Sequence, residues 1–109
     1  MSIITSVLND ELDRNQRAQL AYQNELSQYF KGSLVVKRRR NKNYFYLAYR
    51  NSLNQVKTDY IGNEENSKVN EVRQQIQKRK ETLLILRELK KEEATIRKML
   101  RHGGTEPKR

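Results

Sequence analysis

The chain has 109 residues, suited to a single domain, with a hydrophobic fraction of 35% and a charged fraction of 33%. That balance allows a modest core and excludes a thick one, so helices packed along a narrow seam suit it better than a sphere. The 23 Lys and Arg against 13 Asp and Glu give a net charge of +10, which points to a polyanionic partner, with general solubility as the alternative.

From about Ser6 to Phe30, apolar residues recur at Leu8, Leu12, Tyr22, Leu26 and Tyr29 with helical spacing, interrupted by polar gaps at Asn15 and Gln19. Ser6 or Asn9 can cap this helix, Asp10 and Glu11 suit its positive end, and Gly32 can stop it. From Ser33 to Gly62 the period changes to two. Strands are expected at Leu34 to Arg39, Tyr44 to Arg50 and about Gln55 to Ile61, with tight turns at Asn41-Lys42-Asn43 and at Asn51 to Asn54. Three antiparallel strands in a meander follow from this pattern. From about Asn63 to Arg101 a long helix is indicated, with Asn63, Asn66 or Ser67 as its cap. Its apolar positions (Val69, Val72, Ile76, Leu83, Leu86, Ile96 and Leu100) approximate a seven-residue repeat that Arg79-Lys80 and Lys90 interrupt. Such a helix needs a partner: the first helix in a hairpin or coiled coil, a second copy in a homodimer, or both. The expected architecture is therefore α+β, a single α-β-α domain over residues 1–101 with a flexible tail at 102–109.

Alternation divides the meander by chemistry. Leu34, Val36, Phe45, Leu47, Tyr49, Val56 and Tyr60 are expected on the face packed against the helices. Lys37, Arg39, Tyr44, Tyr46, Arg50 and Lys57 are expected on the other, with Arg38, Arg40 and Lys42 crowding the edge and first turn. Between Lys31 and Gly62 there are eight basic residues and one acid, Asp59, a surplus of seven out of the chain's ten. Lys and Arg neutralise phosphates, and Tyr rings stack on exposed bases or lie along the sugar backbone. These nine residues (Lys37, Arg38, Arg39, Arg40, Lys42, Tyr44, Tyr46, Arg50 and Lys57) form the candidate DNA- or RNA-binding set. An ordinary solvated sheet, with Tyr chosen for β-propensity and Lys guarding an edge, is the alternative. The basic residues of the long helix alternate with Glu71, Glu81, Glu88, Glu92 and Glu93 and suit a mixed solvated face.

Catalytic chemistry has no constellation to rest on. His102 is the only histidine and adjoins Gly103-Gly104, the pairs Glu64-Glu65 and Glu92-Glu93 each point their carboxylates apart, and no glycine-rich phosphate loop is present. No enzyme activity, metal or cofactor is expected. The absence of cysteine excludes disulfide and thiolate chemistry and fits a reducing, cytoplasmic setting. Met1 to Arg14 lacks a basic and then apolar leader, and the longest apolar run, Leu83 to Leu86, is too short for a bilayer, so neither secretion nor a membrane partner is expected.

Two resemblances follow from the meander's residues. Lys31-Gly32-Ser33-Leu34-Val35-Val36-Lys37, Tyr44-Phe45-Tyr46-Leu47-Ala48-Tyr49-Arg50 and the closing Lys57 to Gly62 resemble a pattern in uncharacterised small proteins of bacteria, archaea and their mobile elements. That likeness implies no activity. The meander followed by a helix is also similar to the arm-binding domains of tyrosine-type phage integrases. Their three-stranded sheet binds DNA through basic and aromatic residues, and Arg39, Tyr46, Arg50 and Lys57 would be the analogues. The helix before the sheet and the long one after it depart from that pattern. Three functional readings result: a nucleic-acid-binding accessory protein, a phage-type inhibitor of a host nucleoprotein or nuclease, and a coiled-coil adaptor.

Overall fold

A computed structural model describes residues 2–102; the expected tail beyond His102 lies outside them. Helix α1 (Ile3–Leu26) is followed by strands β1 (Ser33–Arg39), β2 (Lys42–Arg50) and β3 (Val56–Asn63) and by helix α2 (Ser67–Arg101). The strands form one antiparallel sheet in the order β1-β2-β3. The α+β class and the helix-meander-helix order are those the sequence predicts.

The helix ends differ in detail, each for a local reason. Ser2, not Ser6 or Asn9, caps α1: its Oγ accepts the Thr5 backbone N–H at 3.0 Å, which draws Ile3 and Ile4 into the first turn. At the other end the Ser27 hydroxyl donates to the Asn24 carbonyl at 2.7 Å, and the helix stops at Leu26, short of Phe30. Gly32, expected as the helix stop, instead leads into β1. Its φ of 144° and the adjacent Ala48 carbonyl, which any Cβ there would strike, reserve the position for glycine. Asn66 caps α2, its Oδ1 accepting the Lys68 N–H at 2.9 Å.

The chain's contacts fall into two compact units, and α2 contributes to both. The helical unit pairs α1 with residues 82–101 of α2 as a helical hairpin. Leu8, Leu86 and Ile96 are its buried apolar residues. The polar gaps of the sequence prove central here: Asn15 is only 2% exposed. Its Nδ2 donates to the Leu89 carbonyl at 2.9 Å and to Glu92 at 3.1 Å, while Gln19 Nε2 donates to Asn15 Oδ1 at 2.7 Å and to Glu93 at 2.8 Å. Among the described residues no buried side-chain polar atom lacks a partner, so this seam fixes the hairpin's register without leaving a polar group unsatisfied.

The sheet unit comprises Gln28–Glu81. Phe45 of β2 and Val69, Val72 and Ile76 of α2 are its buried apolar residues. The Arg73 guanidinium lies 5.5 Å from the Phe45 ring centre, and the Phe30 N–H donates to Gln75 at 3.3 Å. The Phe45 face of the sheet is thus the one turned towards α2.

Candidate nucleic-acid interface

The first hairpin turns on Arg40 and Asn41, both at positive φ (50° and 67°), rather than on Asn41-Lys42-Asn43. Two left-handed residues match the twist of the flanking strands, so Lys42 and Asn43 are released into β2. Register then pairs Arg39 with Lys42, Lys37 with Tyr44 and Val35 with Tyr46, so these side chains share one face.

The second connection changes the expected faces of β3. Asn51 Oδ1 accepts the N–H groups of Leu53 and Gln55, both at 3.0 Å, and Asn54 takes a φ of 61°. This loop sets Val56 opposite Arg50, Lys57 opposite Tyr49 and Tyr60 opposite Tyr46. An irregularity at Phe45/Tyr46 leaves Ile61 without a partner and brings Gly62 opposite Phe45. Val56 and Tyr60, expected inside, therefore lie on the Tyr46 face, where they are 62% and 56% exposed. Lys57, expected outside with Arg39, lies on the Phe45 face. Val36 keeps its expected face but is itself half open to solvent.

Three tyrosines consequently meet on one surface. The Tyr60 ring centre lies 5.3 Å from that of Tyr46, with the planes at 58°, and 6.3 Å from that of Tyr44, at 43°. Lys37 Nζ stands 4.9 Å above the Tyr46 ring. Arg39, Arg40, Tyr44, Tyr46 and Tyr60 together line an open groove of about 550 Å³. The turn brings Arg39 and Arg40 to the same groove although they are neighbours in sequence.

The remaining members of the candidate set stand elsewhere. Lys42 shares the tyrosine face but lines a smaller hollow of about 240 Å³ with Asn41, Asn43, Asn63, Glu64 and Glu65, whose carboxylates offset its charge. Arg50 also shares that face, with Nη1 donating to the Asn54 carbonyl at 3.1 Å. Arg38 pairs with Asn43 and belongs, like Lys57, to the opposite face. Tyr60 is the contributor that sequence alternation missed, because its face depends on the residue count of the 51–55 loop.

The sheet's single carboxylate is turned away from the tyrosine groove. Asp59 pairs across β2 with Leu47, on the Phe45 face. The hydrogen bond that the Tyr49 hydroxyl donates to Asp59, helped by desolvation and by the carboxylate's charge, holds the Tyr49 hydroxyl above the usual phenol value. Among the described residues, none of the eight cations between positions 31 and 62 takes part in an ion pair. The tyrosine face thus presents cations and aromatic rings with no acid of its own. Among the described residues there is also no group of three or more His, Cys, Asp or Glu able to hold a metal, and no helix long and apolar enough to cross a membrane. No family model, curated protein or solved structure matches the chain.

Proposed function

We propose that the chain binds nucleic acid through the tyrosine face of its sheet and that the helices serve as scaffold. The observation that carries this reading is the grouping of Lys37, Arg39 and Arg40 with Tyr44, Tyr46 and Tyr60 on a face to which the strands contribute no acid. Cations lining a groove release condensed counterions when they meet phosphates, and rings beside them give the ligand a surface to lie on. An acidic protein surface would satisfy the cations but would make little use of three clustered rings.

The test is affinity for duplex DNA, single-stranded DNA and structured RNA, each titrated with salt. Engagement of about five phosphates gives a log–log slope near −4.5 on duplex and about −3.5 on single strands. Absence of binding to all three at low salt would defeat the reading and shift attention to a host nucleoprotein or nuclease as the partner.

A second reading concerns the helical unit. Ile3, Ile4 and Val7 of α1 and Leu83, Leu84, Ile85 and Met99 of α2 are exposed apolar side chains of this unit. A second copy pairing its hairpin here would make a homodimer. Sedimentation over a concentration series tests this, and a monomer at every concentration would exclude it.

A further inference from the structure

We infer that the groove takes unpaired bases, so that its ligand is a single-stranded stretch of DNA or RNA rather than a duplex. The inference rests on the nucleic-acid reading above and narrows it. Bases in a duplex offer only their edges, and reading an edge requires paired donors and acceptors such as those of Arg, Asn or Gln. The middle of this face carries no Arg, Asn or Gln. Tyr46 stands there with Val35 and Tyr60 as its cross-strand partners, and Ala48 pairs with Thr58 beside it. Each tyrosine has one hydroxyl at its far end and otherwise presents ring surface.

Ring surface is useful to a base whose own face is exposed. Tyr44 and Tyr46 are tilted to Tyr60 by 43° and 58°, and neither lies flat on it, so ring surface of Tyr60 stays open to solvent. Lys37 stands over Tyr46, which leaves Tyr60, 56% exposed, as the principal platform. Every base has a π-face, so stacking of this kind tolerates any sequence. Arg39 and Arg40 enter the groove at its turn end, and Lys37 stands over Tyr46. A strand lying with bases on Tyr60 and Tyr44 would place its backbone against that end. The hydroxyls and cations suit deoxyribose and ribose strands alike, so the shared ligand chemistry is an unpaired nucleotide run.

The test uses the full chain, a mixed-sequence DNA strand of about twelve nucleotides, within the range such sites cover, the same sequence as RNA, and the DNA as a duplex. Three proteins are compared: the unaltered chain, Tyr60→Leu and Tyr60→Phe. Because Tyr60 is solvent-exposed, both variants should fold, which circular dichroism verifies. The expected result is tighter binding to a single strand than to the duplex, by about tenfold or more. Tyr60→Leu should lose about 5- to 150-fold on single strands, the range that one stacked base is worth, with little change on duplex. Tyr60→Phe, which keeps the ring, should recover most of the affinity that Tyr60→Leu loses. Preference for the DNA or for the RNA strand supports the inference and identifies the sugar. Duplex binding as tight as single-strand binding, or an unchanged Tyr60→Leu, overturns the inference while the nucleic-acid reading stands. No binding to any of the three overturns both.

Discussion

In the helical unit, charges close on one another. Arg14 lies 3.5 Å from Glu11, Arg17 2.9 Å from Asp13, Lys91 3.5 Å from Glu88 and Arg97 2.9 Å from Glu93. Between positions 31 and 62, eight cations accompany one carboxylate, Asp59, which the register places on the face away from the groove. Exposed helical pairs one turn apart are worth only a few tenths of a kcal/mol each, yet they leave a surface with little net field. The sheet does the reverse and leaves like charges side by side, an arrangement that an external polyanion relieves. The two regions show that the location of unpaired charge says more about a partner than the net charge does.

The contrast can be broken from the core outwards. Phe45→Ala should cost about 3–5 kcal/mol, because the ring is buried in the same unit as Val69, Val72 and Ile76. Denaturant unfolding reads this loss, and a normal midpoint would mean that the Phe45 face is not the inner one. Reversal of both Arg39 and Arg40 to Glu should lower nucleic-acid affinity on the order of 100-fold and flatten the salt slope by about two, with unfolding unchanged. Reversal of Lys57, on the other face, should change affinity far less. Equal losses at the two sites would erase the distinction between the faces.

In the helical unit, Asn15→Ala should cost about 1–3 kcal/mol, since it strips partners from Gln19 and Glu92 inside the hairpin. Thermal melting measures that cost, and nucleic-acid affinity should not follow it. The smallest effect concerns acid. Hydrogen bonds from Gln19 and then Arg97 hold Glu93 below its ordinary value of 4.5. The folded chain therefore binds that proton less readily than the unfolded chain does. Its contribution to stability is present above pH 4.5 and fades as the pH falls through the lowered value. Glu93→Gln should remove that part of the acid sensitivity, and a melting curve as pH-dependent as before would contradict it.

Much of this was legible in the sequence, and the exceptions are physical. The alternation Tyr44-Phe45-Tyr46-Leu47 gives both faces of β2, and a tight hairpin carries them to β1, so Lys37 and Arg39 fall beside the tyrosines as expected. The faces of β3 could not be carried across a loop whose length and Asn51 hydrogen bonds decide the parity, so Tyr60, Val56 and Lys57 exchange sides. The position of Ile61 opposite no residue is likewise a property of pairing and not of one strand. Asn15 and Gln19 read as gaps because periodicity along one helix cannot see Glu92 and Glu93 on another. Arg40 joins the groove because its backbone is left-handed, which no side-chain pattern records.

The most direct measurement is an NMR titration of the chain, with labelled tyrosine rings, by a short oligonucleotide. The six tyrosines divide between three on the groove face (Tyr44, Tyr46 and Tyr60) and three elsewhere (Tyr22, Tyr29 and Tyr49). Binding through the groove should move the first three ring signals together and leave the other three in place. Movement of Tyr49, Tyr22 or Tyr29 while the groove tyrosines stay still would contradict it.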